Sequence, residues 1–466
     1  MSDSWATSVS GLDLHLDRSG PRVRAGLEAA LREAIREDRL GPGVRVPSSR
    51  TLAADLGLAR NTVADAYGQL VAEGWLIARQ GSGTRVAERA PGLDATPESA
   101  PDARRPRYDM RPGSPDVSMF PRHDWLAAAR RAAMVAAAET LGYGDPQGCP
   151  ELRQALAGYL ARVRGVHADP GRIVICAGFT QGLGLLARIV RGSGATGLAM
   201  EPFGLPDHRA IAAEHGLRVR PTAIDEQGAV TDRLTRAGGV VLTPAHQFPL
   251  GMALAPARRT AAIDWAAATG GLVVEDDYDG EFRYDRHPVG AMQALAPDRV
   301  VYAGTASKSL APGLRLGWLV VPSSLVDDVV AAKRLADHGT SVLAQLTLAE
   351  LVDRGGYDRQ VRRARLAYRR RRDRLVAALA EHAPRVRVTG IAAGLHALLE
   401  LPDELDERVL VELARDHGLA VEGLGAYSAV PGTPTNALVV GYSTPPEHAF
   451  TAALARLVAT LDEAAS

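Results

Sequence analysis

The sequence predicts an α/β chain in two parts: a small N-terminal block of short helices with a β-hairpin, then a large domain on a mainly parallel sheet. Three observations carry that expectation. From Asp109 onward the apolar runs GRIVICAG, GGVVLTPA, GGLVVEDD and DRVVYAG alternate with helical segments, the pattern of a parallel sheet with covering helices. Before it, residues 20–87 show apolar positions at helical spacing, cut by glycines. Between the two, residues 88–108 are rich in Pro, Ala and charge, which reads as a linker. The large domain is therefore expected over 109–466.

The bulk numbers narrow the class. At 466 residues the chain exceeds one ordinary domain. Its 46% hydrophobic and 23% charged residues suit a globular protein. The formal net charge is zero, so a nucleic-acid partner must be argued from a local site. No apolar run approaches the roughly 20 residues that span a bilayer. The opening MSDSWATSVSGLDLHLDRSG has no basic segment before an apolar core and reads as a loose leader. Cys149 and Cys176 make neither a disulfide framework nor a metal cluster. A cytoplasmic location with no membrane partner is the expectation.

In the first block, Val23, Leu27, Leu31 and Ile35 recur four apart and form one face of a helix. Ser48 or Ser49 can cap a second helix, SRTLAADLG, which Gly57 ends. A third helix, RNTVADAYGQLVAEG, turns Val63, Tyr67, Leu70 and Val71 inward and stops at Gly74. Two short helices joined by a tight turn make a helix-turn-helix. WLIARQGSGTRVA then alternates about a Gly-Ser-Gly turn as a hairpin wing. Arg60, Asn61 and Thr62 stand at the helix end that enters a major groove, where Arg and Asn read base edges. Arg45, Ser48 and Arg50 lie where phosphate contacts are common. Five arginines against three acids between 45 and 85 give a weak positive footprint, so composition by itself leaves a small protein-interaction domain open.

The stretch GVRVPSSRTLAADLGLARNTVADAYGQLVAEGWLIARQGSGTRV resembles the winged helix-turn-helix of GntR-type bacterial repressors over its full length. The resemblance implies contacts to double-stranded operator DNA from Arg45, Ser48, Arg50, Arg60, Asn61, Thr62 and Gly83. Ala59 stands where that family usually has serine, which removes one helix cap or phosphate contact.

The large domain is best entered at GTASKSLAPGLRLGW. Of the chain's 54 Lys and Arg residues only Lys308 and Lys333 are lysines. Arginine replaces lysine almost everywhere except where a primary amine must lose its proton and form a Schiff base. A pyridoxal phosphate (PLP) site needs such a lysine, an acid at the pyridine nitrogen, a donor at the ring oxygen and a phosphate cradle. VVEDDYDGEF ends an apolar strand and offers Asp276 for the nitrogen and Tyr278, on the same side of the strand, for the ring oxygen. CAGFTQG joins a strand to a helix whose N–H groups, with Thr180, suit a phosphate. Thr305, Ser307 and Arg315 complete the cradle.

Residues 109 to 460 resemble a fold-type I aminotransferase, through YGDPQGCPELRQALAGYLARVRGV, TPAHQFPLG, VVEDDYDGEFRY and GTASKSLAPGLRLGW. Joined to a GntR winged helix, such a domain is similar to the MocR-type transcription regulators. That resemblance implies an internal aldimine at Lys308, with Asp276 on the pyridine nitrogen and Tyr278 on the ring hydroxyl. It implies phosphate contacts from Phe179, Thr180, Ser307 and Arg315, and from Tyr143 to the partner subunit's phosphate. It also implies a head-to-tail homodimer with crossed-over DNA-binding domains. PLP, or an adduct of PLP with a small amine, would be the effector. Vitamin B6 or amine and amino-acid metabolism would be the process controlled.

Three positions depart from the pattern. Leu205 in MEPFGLPDHR stands where an aromatic ring stacks on PLP, which leaves Phe179 or Phe203 for that role. Phe248 replaces the asparagine of the aminotransferase NPTG turn. Val439 in NALVVGYS stands where true aminotransferases place the arginine that clamps a substrate carboxylate. These departures favour a regulator over the two alternatives, a PLP-dependent aminotransferase with an accessory DNA-binding domain and a regulator whose large domain has lost PLP. The basic run RQVRRARLAYRRRRDRL reads as a solvated helix face, His246 as a hydrogen-bonded loop histidine and Cys176 as core.

Overall fold

The computed structural model describes residues 5–7, 13–15, 23–37, 39–79, 83–88, 106–235, 237–284 and 289–465. It forms two compact units, Met1–Arg104 and Arg105–Ser466. The expected linker over 88–108 lies almost wholly outside the described residues, as does the tip of the wing at 80–82.

In the first unit, α1 (Val23–Arg36), α2 (Ser49–Leu56) and α3 (Arg60–Ala72) precede an antiparallel pair, Leu76–Arg79 with Gly83–Val86. Leu27, Leu31, Ile35, Val63, Tyr67 and Leu70 are buried together with Leu76 and Val86 of the wing. Ser48 is the N-cap of α2, its Oγ accepting the Thr51 N–H at 3.1 Å. Gly57 closes α2 at φ 62°, a left-handed conformation that glycine adopts without strain. Part of the expected loose leader is ordered, since Trp5–Thr7 pairs antiparallel with Asp13–His15.

The second unit is built on a seven-stranded sheet. Its order is Ile173–Cys176, Gly317–Val320, Val300–Thr305, Leu272–Asp276, Gly239–Leu242, Gly197–Met200, Arg218–Pro221. Gly317–Val320 runs antiparallel to both neighbours, and the other pairings are parallel. The central strands read as unbroken apolar runs because both faces are covered. Ile175, Tyr302 and Trp318 pack with helices Pro150–Arg164 and Val342–Asp353 on one face. Val174, Val301 and Leu319 pack with helix Phe179–Gly192 on the other.

A smaller antiparallel sheet follows, ordered Arg387–Thr389, Ala397–Glu400, Ala437–Val440, Glu422–Gly423. The basic run falls in the helix Gly356–His382, and it is not purely a solvated face. Arg371 is 1% exposed and donates to Asp116 at 2.7 Å and Glu447 at 2.8 Å. Residues 364, 368, 371, 375 and 379 share its buried stripe. A buried guanidinium without such partners would be strongly destabilising.

Candidate functional site

A cavity of about 230 Å³ opens in the second unit beside the C-terminal ends of the parallel strands, the place where open α/β sheets bind ligands. Eight of the expected cofactor residues line it: Lys308, Asp276, Tyr278, Arg315, Ser307, Thr305, Phe179 and Thr180. Asp276 and Thr305 are the last residues of their strands. Ser307 and Lys308 occupy the following turn. Phe179 and Thr180 open the helix Phe179–Gly192. Tyr143 is not part of this wall; it is 99% exposed.

One end of the cavity is made for an anion. The helix Phe179–Gly192 starts from Gly178 with no side-chain cap, so its first N–H groups face outward unpaired within the helix. Gly178 has φ 84°, and a Cβ there would stand 3.3 Å from the Arg315 guanidinium. Glycine therefore admits both the turn and the arginine. Arg315 donates to the Ala177 carbonyl while remaining exposed. The Ser307 N–H donates to Thr305 Oγ1 at 3.1 Å, and the two hydroxyls lie 2.9 Å apart.

The middle of the cavity holds the titratable groups. Burial pushes the Asp276 carboxyl well above its usual range; Lys308 opposes that, and Asp277, Asp279 and Glu201 add to it. Burial pulls the Lys308 amine below its usual value, against the Asp276 and Asp279 carboxylates. The Lys308 Nζ donates to the Gly113 carbonyl. Tyr278 lies beyond the end of its strand rather than on it, which corrects the sequence expectation. Asp277 between them still donates its N–H to the Ala303 carbonyl at 3.0 Å, while its side chain pairs with Arg164 at 2.6 Å and takes the Tyr302 hydroxyl at 2.7 Å. The Tyr278 hydroxyl lies 3.2 Å from His246 Nδ1, which is 2.8 Å from Asp279 Oδ2. His246 is thus a buried, hydrogen-bonded loop histidine outside the cavity wall. Cys176 is buried in the core.

In the rest of the lining, apolar Phe203, Phe248 and Leu395 stand with His208, Arg209 and His396, and the cluster that holds Phe248 continues into the core. Val439 is fully buried with Phe248, Leu398 and Tyr427, and Phe203 packs against the same cluster. Leu205 lines the cavity at 38% exposure. Phe179 meets the His208 ring edge-on at 4.8 Å.

Sequence reasoning missed several lining residues, among them Gly113, Glu201, His208, Arg209 and His396. Burial raises the Glu201 carboxyl to about 7, opposed by hydrogen bonds from Thr243 and Gln247. Burial lowers His208 to about 4, with Lys308 adding. Arg209 donates to the carbonyls of Gly204 at 2.8 Å and of Tyr427 and Ser428 at 3.1 Å. Glu201 immediately follows the strand Gly197–Met200, and that was the one available signal for it.

In the first unit, Arg45, Ser48, Arg50, Arg60, Asn61 and Gly83 are exposed and Thr62 is half-buried. Ala59 gives α3 no side-chain cap. Gly83 has φ 88°, and a Cβ there would fall 2.8 Å from Arg45 Nε, so Arg45 lies across the wing.

The comparisons agree with this architecture. Residues 114–435 match the family described as aminotransferase class I and II, and residues 24–86 match bacterial regulatory proteins of the gntR family. The HTH-type pyridoxine biosynthesis transcriptional regulator PdxR of Corynebacterium glutamicum is 32% identical over 92% of this chain and 94% of its own. The probable rhizopine catabolism regulatory protein MocR of Rhizobium meliloti is 30% identical over 89% of this chain and 88% of its own. The solved kynurenine aminotransferase of Pyrococcus horikoshii is 27% identical, with a TM-score of 0.68 over 76% of this chain and 90% of its own.

The chain belongs to the GntR family of bacterial transcription regulators, in the MocR-type group that joins a DNA-binding winged helix to a class I and II aminotransferase domain. Its large domain has the fold of a PLP-dependent enzyme but sits in a regulator. Among the described residues no helix is long and apolar enough to cross a membrane.

Proposed function

We propose that this protein is a cytoplasmic transcription regulator that binds PLP through its large domain and operator DNA through its winged helix. The observation that carries this reading is the set Lys308, Asp276, Tyr278 and Arg315 around one cavity, with the uncapped helix start at Phe179 and Thr180. Those residues fit the cofactor: an amine for the aldehyde, an acid for the ring nitrogen, a phenol for the ring oxygen and a cradle for the phosphate. PLP supplies an aldehyde that condenses with a primary amine.

The residues of the chain do the rest. Lys308 offers an amine that burial favours in its neutral, nucleophilic form. Asp276 sits among other carboxyls, so a cationic ring N–H beside it relieves the strain on its charge. Arg315 and the helix start hold the phosphate by charge-assisted hydrogen bonds. In the winged helix, Arg60, Asn61 and Thr62 read bases, and Arg45, Ser48, Arg50 and Gly83 hold the backbone.

Tyr143 serves the partner subunit in a head-to-tail homodimer. Its near-complete exposure supports this, as do exposed Leu126, Met134, Val135 and Leu141 in the same region. The effector is PLP or a PLP–amine adduct, acting by its different affinity for two domain arrangements. The genes controlled belong to vitamin B6 or amine metabolism. The aminotransferase alternative is weakened by Val439, buried where a carboxylate clamp would stand.

The test is the visible absorption of the purified protein with PLP, before and after borohydride. A chromophore that borohydride fixes covalently, absent in Lys308→Ala, is expected. No chromophore in the wild type would leave a regulator that does not use PLP.

A further inference from the structure

The far wall of the cavity carries an unused hydrogen-bond acceptor. His396 lines the cavity and is 5% exposed. It immediately precedes the strand Ala397–Glu400, whose Leu398 pairs with Val439. Phe248, whose ring is 5.0 Å from that of His396, belongs to the same buried cluster as Val439, so the imidazole stands near the position that lacks the carboxylate clamp. Its Nε2 lies 3.1 Å from the Pro249 carbonyl. A carbonyl only accepts, so the ring proton sits on Nε2 and Nδ1 is left as an acceptor. Among the described residues no donor bonds to Nδ1. The Phe248 ring at 5.0 Å and the His246 ring at 5.1 Å fix the orientation of the imidazole.

The surroundings keep this ring neutral. Burial, and then His246, hold its pKa down at about 3; Lys308 acts the same way, and Asp279 opposes them. The Arg209 guanidinium, which also lines the cavity, gives hydrogen bonds to the carbonyls of Gly204, Tyr427 and Ser428. A carboxylate placed against His396 Nδ1 would meet a lone pair. A second ammonium would be a buried cation, which the same surroundings disfavour. A hydroxyl has the donor that Nδ1 lacks and carries no charge.

We propose that His396 Nδ1 accepts a hydrogen bond from a hydroxyl of the effector, which is therefore an amino alcohol. Its primary amine would displace the Lys308 amine from the PLP aldehyde carbon, releasing Lys308 as the free amine, and its hydroxyl would meet His396. The inference rests on the PLP reading above and deepens it to a ligand class and a specificity residue.

The experiment loads the full-length protein with PLP, verified by its absorption. It then titrates ethanolamine, 3-amino-1-propanol, propylamine and β-alanine, following the change in that absorption. The better amino alcohol is expected to bind about 3- to 10-fold tighter than propylamine, the worth of one neutral hydrogen bond, and β-alanine more weakly than either. His396→Phe removes that preference while PLP loading persists, and His396→Gln, which restores an acceptor, recovers part of it. Propylamine binding as tightly as both amino alcohols in the wild type overturns the inference without recourse to any variant. So does a preference that survives in His396→Phe, or β-alanine binding tightest. A wild-type protein that never takes PLP overturns the parent reading and this one together, whereas a loaded protein without the preference overturns this one only.

Discussion

At one end of the cavity, Arg315, Ser307 and the start of the helix Phe179–Gly192 gather a cation and polar donors. At the other, Phe248 and Leu395 are buried and apolar, Val439 lies in the buried cluster of Phe248 without lining the cavity, and His396 is neutral. Both walls belong to one domain of an aminotransferase fold. The end suited to a phosphorylated ring keeps its polar set, while the end where an enzyme would clamp a substrate carboxylate does not. An enzyme must orient its substrate for reaction, which such clamps supply. A sensor needs only a ligand affinity that differs between two states. The difference between the walls is the one expected when binding is kept and turnover is not.

The contrast can be broken from its polar end first. Arg315→Ala removes a charge-assisted contact of about 1.5–3 kcal/mol, so PLP affinity should fall roughly 10- to 100-fold. Pyridoxal, which lacks the phosphate, should lose little. Equal losses for both in absorption titrations would show that Arg315 does not serve the phosphate.

A second change acts on proton affinity. The amine of Lys308 must be unprotonated to react, and its pKa lies below the ordinary 10.5 because burial disfavours the ammonium. PLP capture should therefore reach half its plateau rate below that pH. The Asp276 carboxylate raises the Lys308 pKa, so Asp276→Asn should move the midpoint lower still. A midpoint moving upward in borohydride-quenched time courses would contradict the assigned coupling.

The smallest expected effect sharpens the comparison at the border between the walls. Leu205 stands where a ring would stack, and Leu205→Tyr should tighten PLP by about 0.5–1.5 kcal/mol. Unchanged affinity would place the ring of PLP elsewhere in the cavity.

How much of this was legible follows from how each piece is encoded. The helices of the winged unit and a serine cap at 48 or 49 are local, so residue spacing and residue type revealed them, and the family resemblance pointed to the missing cap at Ala59. The buried strands showed as apolar runs, and Lys308 stood out because the chain so rarely uses lysine. Tyr278 was misplaced because the strand ends at Asp276, and the Arg164 partner of Asp277 is 113 residues away in sequence. His396, Arg209 and Gly113 reach the cavity from separate segments, and no periodicity links them. Arg371 was hidden within a basic run, although its spacing from Tyr368 and Leu375 placed it on the apolar stripe.

The most direct measurement uses the scarcity of lysine. The protein is incubated with PLP, reduced with borohydride, digested and mapped by mass spectrometry. With only Lys308 and Lys333 as lysines, the assignment is simple. The account predicts the reduced phosphopyridoxyl group on Lys308 and none on Lys333, whose ammonium is buried against Asp337. Label on Lys333, or no label on Lys308, would contradict it.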